Sequence, residues 1–433
     1  MQTYGWDTVF LCSMERVNDC LRDKMSQLIT TFAYDDGGVR MSGVFDAWRL
    51  VPGGSDKLLH FEIPIQSGTA SFLGKDYDLA GIVPEMQLHA FIDNARAEGA
   101  SDLHFDCLLP GKKPGDTTPG AVTTVTPDVG TRLDRASILW GMLHDNLPKC
   151  LIANRDRLAY VFASVNPGIP GDQSWMSPKR FDYVYAEPVG GKTGCLGILS
   201  VVTDRDTSGL PRDVDPALTA GAESDDLFLL ISPELFMKHV VMPGLPAAYG
   251  HGASPGSFVY TAGAVKNNGR LDCGTFREGM IDYHPYLDTL TIGVQGSALR
   301  TVANGSFDIT GLTDAYVTFS VDSTNECLFD PATQQVRFAP DPHASHNYDK
   351  HIPWWEEALA VLGGPIIVAI VVGVIEGITD SVAASIVGSL NSGGNLSIAA
   401  AAPVAVRWQG LEQMHARDAG LSGAFYVRGT YAG

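Results

Sequence analysis

From Ala358 to Ile375 the chain carries no charged side chain. That run constrains the fold more than any other stretch, because so many branched apolar residues must be hidden from water. It is long enough to cross a bilayer. Three features argue against a span. Gly363-Gly364-Pro365 interrupts the run, giving a short helix, a break and a second helix with Pro365 in its first turn. The basic residues that would orient a span are distant, the nearest being Lys350 and Arg407. Beyond Ile375 the pattern becomes amphipathic, with Ile378, Val382, Ile386 and Leu390 four apart and Glu376 and Asp380 off that face.

Gly373, Gly377, Ser381, Ser385 and Ser389 form a second stripe of small residues along the same segment, open to close approach by another backbone. Three roles fit it: a central helix buried by a sheet, the wall of a lipid-accepting groove, or a membrane-inserting hairpin. A soluble protein built around such a helix must wrap it on nearly every side.

The remaining chain must supply that cover, and 433 residues are enough for two or three cored domains. A formal charge of −19, from 30 basic and 49 acidic residues, argues against nucleic acid as a partner, since phosphate contacts need clustered Lys and Arg. It also opposes unaided adsorption to anionic membranes. The start, Met1-Gln2-Thr3-Tyr4-Gly5-Trp6-Asp7, lacks the basic and apolar regions of a secretory signal. Seven scattered cysteines contain no Cys-x-x-Cys pair. These features make a cytoplasmic setting the default expectation and leave zinc, redox and other cofactor chemistry unsupported.

Read in order, Asp7 or Thr8 caps a first helix with Phe10, Met14, Val17, Leu21, Met25 and Leu28 on one face. The period then changes to two. Thr31 to Phe45 forms a hairpin about Asp35-Asp36-Gly37-Gly38, and short strands follow at 47–51, 58–65, 68–73, 85–92 and 102–109. Lys112 to Gly130 reads as a Pro/Gly/Thr-rich loop, and Arg132 to Leu147 as a second helix. Strands return at 157–165, 180–186 and 195–203.

Asp204 to Asp226 is acidic and turn-rich, which sets an expected boundary between a domain at 1–205 and another at 206–433. The second half repeats the order of the first. A helix capped by Ser232-Pro233-Glu234 precedes strands between 258 and 338, then the apolar segment, then strands near 404–408 and 424–430. Tight turns between short strands predict mostly antiparallel sheets and an α+β class.

Four clusters invite a chemical reading. Gly252-Ala253-Ser254-Pro255-Gly256 matches the spacing of a nucleophile elbow, but Pro255 lacks the N–H that would stabilise an oxyanion. Ala186 to Thr193 resembles a phosphate loop with alanine at its first glycine and a strand-like run after it. His343, His346 and His351 lie within nine residues, without the helical spacing of a zinc site, and read as part of a polar linker into the apolar segment. Arg132, Arg135, Lys149, Arg155 and Arg157 are diluted by Asp134, Asp145 and Asp156 and read as a solvated helix face. None points to catalysis or to a metal.

Several landmarks, taken in order, resemble a known family. They are Thr3-Tyr4-Gly5-Trp6-Asp7 with Val17-Asn18, Val44-Phe45-Asp46-Ala47-Trp48 with Pro52-Gly53-Gly54-Ser55, and Ile231-Ser232-Pro233-Glu234-Leu235-Phe236-Met237-Lys238. Trp354-Trp355 and the closing Leu421-Ser422-Gly423-Ala424-Phe425-Tyr426-Val427-Arg428-Gly429 complete them. The sequence resembles the forty-seven-kilodalton accessory proteins of clostridial neurotoxin clusters of OrfX type. That resemblance implies a tubular lipid-binding (TULIP) fold like that of bactericidal/permeability-increasing protein, with two tandem modules of twisted antiparallel sheet around long helices. It carries over no catalytic residue.

The expectation is therefore a non-enzymatic protein that binds lipid or another apolar ligand and contacts membrane without spanning it. It would serve a bacterial toxin complex, with release from the cell alongside that complex. The residues set to line the ligand are Ile366, Ile370, Val374, Ile378 and Val382. The rival is a scaffold of the same fold, without ligand, that assembles with other proteins of the toxin cluster.

Overall fold

Thr8–Ser13 is a strand, not the first turns of a helix. All six residues are buried, and they pair antiparallel with Cys195–Val201, which pairs in turn with Arg180–Ala186. A run covered on both faces shows no amphipathic alternation, so the chance four-residue step from Phe10 to Met14 mimics a helical face. The helix occupies Met14–Asp23, with Ser13 as its cap: the Ser13 Oγ accepts from the Arg16 N–H at 3.2 Å. Val17 and Leu21 fall on its buried face, as the spacing predicts.

The structure is a computed structural model that describes residues 1–93, 100–166, 175–187, 194–221, 224–278, 280–339, 341–353, 369–374, 405–411 and 413–431. It is an α+β architecture in which strands outweigh helices. The chain forms two units. The first comprises Tyr4–Leu229, Ala401–His415 and Gly429–Gly433; the second comprises Met1–Thr3, Leu230–Ala400 and Ala416–Arg428.

In the first unit the expected hairpin is present as Thr31–Asp36 and Val39–Phe45. Gly37 and Gly38 turn it with φ of +59° and +80°, the left-handed pair that a two-residue hairpin loop needs. Ile65–Phe72 and Lys75–Asp78 extend this into a four-stranded sheet. A second sheet runs from Arg49–Ser55 through Leu58–Glu62 to Glu85–Asp93, then Ser101–Asp106, Val161–Val165 and Val406–Trp408. Phe45, Trp48, Phe61, Phe105, Tyr160 and Phe162 form the aromatic core, with Phe105 and Phe162 centroids 4.8 Å apart. Asn18 ties the first helix to this sheet through a reciprocal pair, accepting from Leu50 N at 2.8 Å and donating to Leu50 O at 3.0 Å.

Two further expectations for this unit change. The stretch 112–130 is not loop throughout, because Ala121–Thr126 is a strand paired with Glu85–Asp93. Its β-branched Val-Thr-Thr-Val-Thr run outweighs the flanking prolines and glycines. The second helix begins at Ile138, capped by Ser137, and continues through Pro148 to Ala153. Arg132 and Arg135 therefore precede it.

The second unit starts with Ser232, whose Oγ accepts from Leu235 N–H at 3.3 Å at the head of Pro233–Phe236. The helical path continues through a π turn at Met237–Val241 into Met242–Tyr249. Phe236 stacks on Phe425 at 4.9 Å. The main sheet is an antiparallel meander of Phe258–Thr261, Ala264–Asn267, Tyr286–Gln295, Ala298–Asp308 and Tyr316–Asp330. The last two strands are long, at 11 and 15 residues. Alternation makes their inner face Leu299, Ala303, Phe307, Val317, Phe319 and Val321, all buried.

The polar stretch carrying three histidines is not simply a linker. Ser345–His351 is a strand paired with Tyr316–Asp330, and its side chains are mostly exposed. Main-chain hydrogen bonds to a long neighbour build it, so no side-chain pattern announces it. Met414–Ser422 is likewise a strand without a sequence expectation.

Two measurements check this packing. A Cβ on Gly305 would run into the Tyr286 carbonyl oxygen and the Phe319 ring, whereas one on Gly293 meets Ala264 Cβ at an ordinary 3.7 Å. Gly305→Ala is therefore expected to cost about 1–3 kcal/mol in urea unfolding, and Gly293→Ala to stay within about 0.5 kcal/mol. The thiols give the second check. Burial pushes Cys107, Cys150 and Cys195 up to about 12, so these three are expected to react with a thiol reagent at about pH 8 only after unfolding.

Candidate functional site

Of the five apolar residues proposed to line a ligand, Ile370 and Val374 lie within the helical stretch 369–374 of the second unit. They are 2% and 1% exposed, one helical turn apart, with Val371 fully buried beside them. Ile366, Ile378 and Val382 lie outside the described residues, as do Gly377, Ser381, Ser385 and Ser389 of the small-residue stripe. Gly373 of that stripe faces an aromatic ring: a Cβ there would stand 3.1 Å from Phe276 Cε1. Phe276 belongs to the strand Phe276–Glu278, which pairs with Ile281–Tyr283. Among the described residues no helix is long and apolar enough to cross a membrane.

The first unit holds a cleft of about 660 Å³ that the sequence reading did not anticipate. Its floor is an ion-pair network. Asp182 accepts from Arg212 Nε at 2.5 Å and lies 2.7 Å from Lys57 Nζ, while Asp56 stands 3.7 Å from Arg212. The Asp182 hydrogen bond raises the Arg212 pKa above its ordinary value. Tyr183 donates to the Lys57 carbonyl at 2.9 Å and accepts from Ala90 N–H at 3.0 Å, tying the turn at Lys57 to the strand Glu85–Asp93. Burial pushes its phenol up as well.

One wall is the loop at 112–120. The Asp116 carboxylate accepts from Lys112 N–H at 2.9 Å and Thr118 N–H at 3.0 Å, which lowers its pKa to about 2. The Asp116 carbonyl accepts from His89 Nε2 at 3.1 Å and from Gln87 Nε2 at 3.2 Å, fastening the loop to the sheet.

These residues escaped the sequence reading because they meet through register, not through spacing along the chain. Lys57, Asp106, Asp182 and Arg212 come from four separate segments, and Arg212 sits in the acidic, turn-rich stretch 204–226. The alternation of Glu85–Asp93 was the one available signal, since it places His89 and Phe91 on a common face.

The tempting motifs resolve locally. Ser254 N–H donates to Ser257 Oγ at 3.1 Å in a 3₁₀ turn, and His251 packs against Gly274. Residues 188–193 of the phosphate-loop-like stretch lie outside the described residues. His351 stacks on Tyr316 at 4.5 Å, and among the described residues no group of His, Cys, Asp or Glu is placed to hold a metal. The basic neighbourhood is not one helix face. Arg132 donates to the Ala80 carbonyl, Arg135 lies over Trp140, and Arg157 donates to the Thr31 carbonyl at 2.6 Å.

Fold and sequence both place this chain among known proteins. Residues 3–419 match the model of the OrfX-like family, described as Protein OrfX2/OrfX3/P47, and the chain belongs to that family. It is 27% identical over 361 residues to Protein P47 of Clostridium botulinum (strain Kyoto / Type A2), covering 81% of this chain and 84% of that protein. It is 21% identical over 339 residues to Protein OrfX3 of Paraclostridium bifermentans, covering 70% and 68%. The solved structure of P47 from C. botulinum A2 superposes with a TM-score of 0.80 at 24% identity, over 99% of this chain and 98% of the other. That of P47 of C. botulinum E1 gives 0.79 at 23%, over 99% of each. At these identities the structural likeness establishes the fold.

The ion-pair floor predicts an ordering of stabilities. Asp182→Ala strands two cations at a carboxylate only 18% exposed, so thermal unfolding should show a loss of about 1–2 kcal/mol, discounted for the solvent that reaches Arg212. Asp56, with its side chain 54% exposed and 3.7 Å from its partner, should cost less than about 0.5 kcal/mol as Asp56→Asn.

Proposed function

We propose that this protein is a non-enzymatic accessory factor of a bacterial toxin complex that encloses a lipid or other apolar ligand in its second unit. The observation that carries the proposal is the buried face Ile370, Val371 and Val374, set in an uncharged segment and met on its glycine side by Phe276. An acyl chain laid along such a face gains roughly 0.8 kcal/mol per methylene withdrawn from water. Membership of the OrfX-like family supports the toxin-cluster setting, and the TULIP-like modules implied by the resemblance would provide the enclosure.

A second reading has its own observation. Met280 is 92% exposed and Ile281 37% exposed, on the hairpin that also carries Phe276. An apolar hairpin tip held in water favours a scaffold that docks there onto another protein of the complex.

Native mass spectrometry of the purified protein, followed by extraction of the same sample, separates the two. The ligand reading expects stoichiometric added mass that is recovered as lipid. A bare polypeptide mass, unchanged after incubation with mixed lipids, would overturn it in favour of the scaffold.

A further inference from the structure

We propose that the cleft of the first unit binds a small organic cation, an ammonium or guanidinium on an apolar skeleton, with Asp106 as counter-ion and Phe91 as the surface beneath the skeleton. The charges lining the cleft lead to this assignment. Lys57 and Arg212 are both held by Asp182, and Arg212 is also close to Asp56, so neither cation is free to receive an anion. Three aspartates, Asp56, Asp106 and Asp182, line the cleft with these two cations, which leaves an excess of negative charge.

Asp106 accounts for that excess. It lines the cleft half-buried, and among the described residues no donor reaches its carboxylate. Burial raises its pKa, and nearby His89 offsets that only in part. A partly desolvated carboxylate without a protein donor is stabilised by a bound cation.

Strand register sets the shape of the cation. Asp106 lies directly opposite His89 in the antiparallel pair of Glu85–Asp93 with Ser101–Asp106. Phe91 is two residues further along the His89 strand, on the same face, and keeps 41% of its surface exposed. Diagonal neighbours of this kind stand about 7–8 Å apart in a sheet, so one molecule bridges them if its charge sits a few bonds from an apolar group. Phe181 and Pro119 add apolar lining, and an aromatic face beside the charge favours a cation further. A cleft of about 660 Å³ is in the range for small-molecule sites. The chain's net charge of −19 raises the local concentration of such cations.

This proposal is independent of the apolar-ligand reading, which concerns the second unit. The test is calorimetric titration of the full chain with 2-phenylethylammonium, with 2-phenylethanol and phenylacetate as neutral and anionic counterparts. Saturable binding of the ammonium alone is expected. It should weaken about tenfold or more in Asp106→Asn and measurably in Phe91→Ala, with the melting temperature of Asp106→Asn no lower than that of the parent.

Undiminished binding in Asp106→Asn, equal binding of the alcohol, or no saturation up to about 10 mM in the parent would each overturn the assignment. Flotation with phosphatidylethanolamine vesicles identifies the natural source of the ammonium. Asp106-dependent flotation that 2-phenylethylammonium competes away assigns it to a lipid headgroup. Binding of the free amine without such flotation assigns it to a soluble molecule.

Discussion

The burial of the apolar face Ile370, Val371 and Val374 constrains what the second unit must place beside it. Ile370, Val371 and Val374 are withdrawn from water on one helical face, and each such side chain contributes about 1.5–3 kcal/mol when covered. In the same unit the alternation of Ala298–Asp308 and Tyr316–Asp330 gives their sheet one broad apolar side. Outward positions such as Arg300 and Asp322 pair with each other at 2.6 Å and keep the other side in water. One sequence pattern thus produces an apolar lining and a solvated exterior from the same strands.

The first unit follows different chemistry. Its core is aromatic, and its cleft is built from charge held by charge. Asp182 fixes Lys57 and Arg212, and the Asp116 carbonyl and carboxylate hold the 112–120 wall. The two units therefore differ in chemistry, one with a buried branched aliphatic face and the other with a polar cleft beside an exposed phenylalanine.

Much of the fold was legible where side-chain periodicity and local turn chemistry agree. The hairpin about Gly37-Gly38, the Ser232 cap and the strands near 85–92 and 180–186 follow directly from their residues. Sequence reading went astray where tertiary cover decides. Thr8–Ser13 is buried on both faces and so lacks alternation, while Ser345–His351 is exposed on both and lacks it too. The candidate sites divide in the same way. Ile370 and Val374 stand out as members of an apolar run. Asp106, Asp182 and Arg212 become neighbours of one cleft only after the strands have paired.

Photo-crosslinking tests the central claim most directly. A phospholipid with a diazirine near the end of its acyl chain would be incubated with the intact protein, irradiated, and mapped by peptide mass spectrometry. The account predicts labelling concentrated in peptides that carry residues 366–382, at up to one lipid per chain, and competed by unlabelled lipid. Label scattered over exposed sites such as Met280, or absent from that segment, would contradict it and leave the segment as filled core.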